Sequence, residues 1–218
     1  MTHPSEELLL AHASGNLKGP FSVLIGSHVA LCDSCRAAQR RLEAIGGALL
    51  DELGTEGSSD RSLAATFARL DEPVARPTTG RAADQDPETV RRLPRPLRHF
   101  IDKPIAALPW KQVMRGLSVV EFETPESKGM RVQLLLSRPG QALPRHRHFG
   151  TEMTLVLTGG LKADDAHYGR GDMMVVEPGM EHQPVAEEGE DCLSFAVADG
   201  PLRFTALVPR LWQIATRY

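Results

Sequence analysis

The sequence predicts a two-domain α plus β protein, a small helical bundle followed by an all-β sandwich or barrel, and three observations carry that expectation. Up to about residue 70 the apolar residues recur at helical intervals. From Trp110 onward, short segments rich in Val, Leu and Met alternate in polarity and are separated by Pro, Gly and Asp clusters. Between them, Pro73, Pro77, Pro87, Pro94 and Pro96 accompany Thr78, Thr79 and Gly80, a composition that resists regular structure. The expected organisation is a helical domain over residues 1–73, a Pro/Arg-rich linker over 74–98, a β domain over 99–205 and a C-terminal tail over 206–218.

Composition narrows the class. A chain of 218 residues with 41% hydrophobic and 24% charged residues is an ordinary globular protein, large enough for one large or two small domains. No apolar run approaches the length of a membrane span, and Met1-Thr2-His3-Pro4 opens without a basic, then apolar, signal segment, so a cytoplasmic location is expected. Three cysteines make no disulfide framework; in a reducing compartment they read as metal ligands plus one spare. The net charge of -3 is unevenly spread, with mildly acidic ends flanking a basic middle. The run Arg91, Arg92, Arg95, Arg98 has no interleaved aromatic residues for base stacking, which favours a solvated linker over direct contact with nucleic acid.

The helices follow in order. Ser5 can cap a first helix with Glu6 and Glu7 in its first turn and Gly15-Asn16 at its end. Pro20 suits the first turn of a second, in which Phe21, Leu24, Ile25, His28, Leu31 and Cys32 share helical spacing. Asp33 or Ser34 can cap a third helix through Arg36 to Leu50, with Leu42, Ile45 and Leu49 turned inward, and Ser62 to Leu70 offers a short fourth. His28, Cys32 and Cys35 then meet on the core side: the first two lie one turn apart, and the third follows a tight Asp-Ser turn. Imidazole and thiolate are the donors of tetrahedral structural zinc, and Cys-x2-Cys is the usual half-site, a staple that a small core would gain from. A fourth donor is needed. His3, in the arm before the first helix, can swing onto the metal; His12, inside that helix, is the other candidate and otherwise a surface residue.

The strands follow with Leu117 to Phe122, Arg131 to Leu136, Glu152 to Leu157, Asp172 to Val176 and Cys192 to Val197. Within them lies Gly140, then His146-Arg147-His148, Glu152 and Gly159. Residues two apart on a strand face the same way, so His146 and His148 point into one interior and Glu152 joins them from the next strand after the Phe149-Gly150 turn. A later run from Gly171-Asp172 through Pro178-Gly179 supplies His182. Three imidazoles and a carboxylate suit zinc or another divalent transition metal.

These motifs carry a resemblance. An upstream His with His28-x3-Cys32-x2-Cys35 in a small helical domain resembles the zinc-binding anti-sigma factors, which implies His3, His28, Cys32 and Cys35 as ligands. The spacing from Gly140 to Gly159 resembles that of the cupin superfamily, which implies a double-sheet β-barrel of jelly-roll type with His146, His148, Glu152 and His182 at its metal; Pro178 and Gly179 are adjacent where that superfamily usually separates them. The two together resemble the ChrR subfamily of anti-sigma factors over nearly the whole chain. The resemblance implies a soluble repressor that holds an extracytoplasmic-function sigma factor one to one. It further implies release under oxidative stress such as singlet oxygen, zinc in the N-terminal site and a cupin that takes part in the response. Cupins also pair through their outer sheets, so a homodimer is compatible. The competing class is a metal-dependent cupin dioxygenase or isomerase with an accessory zinc domain; no substrate-anchoring group can be assigned for it in the sequence. Met153, Met173, Met174, Met180 and Cys192 cluster near the cupin motif and read first as core residues, and His99 and His167 as surface residues.

Overall fold

A computed structural model describes residues 2–17, 19–54, 57, 59–70 and 82–205 of the chain. Its N-terminal half contains α1 (Glu6–Ala13), α2 (Gly19–Leu31), α3 (Asp33–Asp51), α4 (Asp60–Ala68), α5 (Ala82–Gln85), α6 (Pro87–Arg92) and α7 (Arg95–Ile101). Ser5 caps α1 by accepting from the Leu8 N–H at 3.3 Å, and Glu6 and Glu7 follow at the positive end of its dipole. The third helix starts differently from expectation. Its N-cap is Cys32, whose side chain makes no capping bond; Asp33 and Ser34 already lie within the helix, and the Cys32 thiol lies 3.1 Å from the Ser34 hydroxyl.

α2 is apolar on every side, the pattern of a helix buried all round. It packs on α1, α3 and α7 and also directly on the β domain, with Leu24, Ile25, Ser27 and His28 wholly withdrawn from solvent. One continuous core therefore runs from Leu9, Leu24 and Ile25 through Leu93 and Leu97 to Leu155, Phe195 and Val197.

Two expectations are corrected. Residues 82–98 of the expected linker are not a linker: with 99–101 they form α5, α6 and α7, and Ala83, Leu93, Leu97 and Ile101 are buried. The prolines start helices there instead of preventing them. Pro87 and Pro96 occupy first-turn positions, where a missing N–H is harmless, and Pro94 is the N-cap of α7. Three arginines of the basic run pair within the protein: Arg91 and Arg92 with Glu88, and Arg98 with Asp84. The remainder of the expected linker, 74–81, and the C-terminal tail, 206–218, lie outside the described residues. The second correction concerns α3. Leu42 packs on the core, but Ile45 and Leu49 are 59% and 60% exposed. Length explains it: at 1.5 Å per residue α3 is about 28 Å long and α1 only about 12 Å, so the second half of α3 overhangs its neighbours. No residue of α4 is buried either.

The C-terminal half contains β1 (Lys111–Met114), β2 (Leu117–Glu121), β3 (Arg131–Ser137), β4 (His146–His148), β5 (Glu152–Thr158), β6 (Leu161–Ala163), β7 (Ala166–Tyr168), β8 (Met173–Val176), β9 (Glu181–His182), β10 (Pro184–Ala186), β11 (Cys192–Ala198) and β12 (Leu202–Phe204). A six-stranded antiparallel sheet in the order β1-β2-β3-β11-β5-β8 stands with two three-stranded sheets, β10-β6-β7 and β12-β4-β9. Alternation gives the large sheet two faces. Leu134, Leu155, Phe195 and Val197 belong to the core shared with the helices, whereas Gln133, Leu135, Thr154, Ser194 and Ala196 line the barrel interior. Cys192 belongs to a separate, smaller core cluster and is buried; burial pushes its thiol up to about 12, which makes it a packing residue.

Because Leu97 is fully buried and Leu49 is not, the two should respond oppositely to truncation. Leu97→Ala is expected to lower unfolding free energy by about 2–5 kcal/mol, and Leu49→Ala to change it by less than about 0.5 kcal/mol, both read from urea denaturation followed by circular dichroism. Equal, small effects would mean that α7 is peripheral after all.

Two candidate metal centres

The first centre lies where α2 meets α3. His28 projects from the last turn of α2, Cys32 from the corner and Cys35 from the first turn of α3, while His3 reaches in from the arm ahead of α1. His3 Nδ1 stands 3.3 Å from Cys35 Sγ and 3.5 Å from Cys32 Sγ, and His28 Nε2 stands 3.3 Å from Cys35 Sγ. Donors held about 2.0–2.3 Å from one tetrahedral ion would themselves be separated by about 3.3–3.7 Å, so the spacing fits such an ion. His12 is elsewhere: its Nδ1 is 3.0 Å from the Ser22 hydroxyl, and its ring lies against Gly26.

Electrostatics prepares the pair of thiols unequally. Burial disfavours both thiolates and holds Cys35 up at about 11, but hydrogen bonds from Ser34 and Cys35 outweigh burial at Cys32 and bring its thiol below the ordinary value. A central dication would complete the deprotonation. Burial also keeps His28 neutral, the form that ligates, and its Nδ1 is 2.8 Å from the Gly171 carbonyl. That contact requires the proton on Nδ1 and leaves the Nε2 lone pair facing the cysteines.

The second centre is at the mouth of the barrel. β4 carries His146 and His148 on one face, β9 places His182 directly opposite His146, and Glu152 begins β5. Two backbone devices set the positions. Glu177-Pro178-Gly179-Met180 is a tight turn, closed by Met180 N–H to Glu177 carbonyl at 3.1 Å, in which Gly179 takes φ +85°, a value a side chain would oppose. It delivers His182. Before Glu152 the chain passes so close to Gly200 that a Cβ on Gly150 would stand 2.7 Å from the Gly200 nitrogen. Asp199 accepts from the Thr151 N–H there at 2.7 Å.

The three imidazoles aim the same atom inward: Nε2 of His182 lies 3.0 Å from that of His146 and 3.2 Å from that of His148, and Glu152 Oε2 lies 3.0 Å from His148 Nε2. Three ring nitrogens this close cannot all share protons, so the donor set calls for a cation. The protonation states agree with that. Burial lowers His182 to about 4 and also lowers His146, while the His148 hydrogen bond and the surrounding imidazoles overcome burial and hold Glu152 at about 2. At neutral pH His146 and His182 are thus neutral and Glu152 ionised, ready for a metal without proton release from them. The Pro144 carbonyl accepts from His146 Nδ1 at 2.8 Å and fixes its tautomer. Behind the ligands a cavity of about 70 Å³, lined by Leu117, Leu135, Met174 and Phe204 among others, has room for a few waters or a small ligand.

Of the other residues singled out, His167 is exposed and lies 2.5 Å from Glu187, and His99 is partly exposed beside Asp84. Met153, Met173 and Met174 are buried and Met180 is exposed. Sequence reasoning missed the Gly171 carbonyl, a backbone group 143 residues from His28 that no local pattern announces.

Comparison with known proteins places this arrangement. The family described as the ChrR cupin-like domain matches residues 101–203. Over 211 residues the chain is 37% identical to the anti-sigma-E factor ChrR of Cereibacter sphaeroides, covering 97% of this chain and 95% of that protein. Among solved structures it superposes, with TM-score 0.77 and 34% identity, on a chain of the crystal structure of Rhodobacter sphaeroides SigE in complex with the anti-sigma ChrR, covering 91% of this chain and 99% of that one. Among the described residues no helix is long and apolar enough to cross a membrane. With identity at this level along almost its entire length and both halves of the architecture in common, the chain belongs to the ChrR family of anti-sigma factors, which are regulators and not enzymes.

Proposed function

We propose that this protein is a cytoplasmic anti-sigma factor that binds an extracytoplasmic-function sigma factor one to one, keeps it inactive, and releases it under oxidative stress, singlet oxygen included. One observation on this chain carries the partner: Ile45, Leu49, Leu50 and Leu53 on and just after α3 and Leu63, Phe67 and Leu70 on and after α4 are all between 49% and 78% exposed. Each such side chain leaves roughly 1–2 kcal/mol of burial unrealised. A concentration of this kind on an overhang is what a protein interface requires and what a free surface avoids. The relative found in complex with SigE supports a sigma factor as the occupant.

Zinc is the metal assigned to the first centre. Two thiolates and two imidazoles in tetrahedral array give a neutral site with no open position, and its binding free energy adds to the stability of the α2–α3 corner. Its role is structural. The cupin centre, with His146, His148, Glu152 and His182, would hold zinc or another divalent transition metal with a net positive charge, and it faces a cavity from which a further ligand can enter. The signal response is assigned to that half.

Cys32→Ser with Cys35→Ser is expected to lose zinc, measured by elemental analysis, and sigma-factor inhibition, measured by in vitro transcription, together; full inhibition by a zinc-free protein would separate the metal from the function. Ile45→Asp with Leu49→Asp should weaken sigma binding at least about 100-fold, as loss of central apolar anchors does, with an unchanged melting temperature. Unaltered affinity would move the interface off α3. His146→Ala or Glu152→Ala should keep repression and blunt induction in a reporter strain exposed to photo-oxidative stress, and normal induction would remove the cupin from the response.

A further inference from the structure

Four consecutive residues ahead of and opening β8 hold the N-terminal half from two sides. Arg170 donates through Nη1 to the Arg92 carbonyl and through Nη2 to the Arg91 carbonyl, both at 3.1 Å, and so grips the end of α6; it also donates to the Leu157 carbonyl of β5. Gly171 accepts from His28. Asp172 accepts from the backbone N–H of Thr2, and the Met173 N–H reaches the Thr2 hydroxyl at 3.1 Å and its carbonyl at 3.4 Å. Thr2 adjoins His3. Two of the four ligands of the first centre, His3 through its neighbour and His28 through its own ring, are therefore braced by the β domain.

The same strand ends at the second centre. β8 lies antiparallel to β5 with Val176 opposite Glu152, and three residues later the Gly179 N–H donates to the His148 carbonyl at 2.8 Å, in the turn that delivers His182. Gly171 itself is pinned to β5, donating to the Val156 carbonyl at 2.8 Å. From Gly171 to Val176 is about 16 Å of extended chain at about 3.3 Å per residue. One short, doubly anchored strand thus separates the group that orients His28 from the groups that carry Glu152, His148 and His182.

We infer that Arg170–Met173 are positioning residues of the N-terminal metal site, supplied by the cupin, and that β8 links the two centres so that each binds its metal more tightly when the other is filled. This rests on the reading of both clusters as metal sites. The physical basis is ordinary: the acceptor on the far nitrogen of a ligating histidine fixes its tautomer and direction, and losing such a partner lowers metal affinity about 10–100-fold. A strand whose other end is fixed by a second metal holds that acceptor in place more firmly, and linkage makes the effect reciprocal.

Cobalt(II) separates the two centres, because only the thiolate site gives a sulfur-to-metal charge-transfer band. Full-length protein would be titrated with cobalt(II) against a competing chelator, the band reporting the first centre. Arg170→Met, which touches no ligand, is expected to weaken cobalt at the thiolate site about tenfold. Glu152→Ala, which impairs only the other centre, should weaken it by a similar factor, and the double variant should be little weaker than either single one, since both act through β8. Thr2→Val, a milder change on the surface, should weaken it about threefold and serves if Arg170→Met does not fold. Thiolate-site affinity within twofold of wild type in Glu152→Ala overturns the link between centres, and the same result in Arg170→Met and Thr2→Val overturns the positioning role. A wild-type protein without the charge-transfer band would instead overturn the metal reading itself, and the inference with it.

Discussion

Everything in this structure depends on the near-complete burial of α2. A helix with Phe21, Leu24, Ile25, Ser27, His28 and Val29 buried and Ala30 alone exposed has little surface to give to water, so it is enclosed by α1, α3, α7 and the large sheet together. The consequence is that the helical and β halves are not independent bodies joined by a tether. They share a core, and α7 joins it by packing on α2, with Leu97 and Ile101 buried beside Leu93 at the end of α6. His28, in the last turn of the same helix, is thereby committed to a site without solvent, where both of its ring nitrogens need partners. One meets the cysteines and the other the β domain.

The two clusters solve the burial of polar donors in different ways. At the first, two thiols and two imidazoles would be poor company without an ion, and with a dication they become neutral as a set, which is tolerable in an apolar surround. At the second, the carboxylate is already ionised and His146 and His182 already neutral before any ion arrives, so the barrel holds a preformed negative pocket. A dication there leaves a net positive charge beside a cavity. That difference, closed and neutral against open and charged, is the physical ground for giving one a structural part and the other a part in sensing.

What the sequence discloses follows the range of the interactions involved. His28, Cys32 and Cys35 lie within eight residues, and His146, His148 and Glu152 within seven, so helical and strand periodicity alone bring them together. Strands β2, β3, β5, β8 and β11 were legible for the same reason, whereas β1 was not, and β6, β7, β10 and β12, three residues each, are too short to show a period. His3 could be narrowed only to a choice with His12, because an arm ahead of a helix has no periodicity; in the structure His3 lies beside Cys32 and Cys35, and His12 beside Ser22. The prolines of residues 87–96 misled because a proline that starts a helix and a proline that prevents one have the same letter, and only the partner surface distinguishes them. Ile45 and Leu49 misled in the opposite direction: their spacing is that of a core face, and the face is real, but nothing in this chain reaches far enough to cover it.

That uncovered face explains why the first centre stands where it does. Cys35 is in the first turn of α3 and Leu53 lies just past its end, about 27 Å away along the axis at 1.5 Å per residue. The first half of the helix packs on α1, α2 and the core, with Cys35 beside His3, His28 and Cys32 at its root, and the overhanging half carries the apolar residues. The overhanging part acts as a lever: from Leu42 to Leu53 is about 16 Å at 1.5 Å per residue, and a turn of 10° would displace the tip by about 3 Å, more than the tolerance of a packed interface. Docking through an overhang is possible only if the base is rigid. A metal joining α2, α3 and the N-terminal arm, with its histidine braced by the β domain, would add rigidity at the root from which that face is aimed.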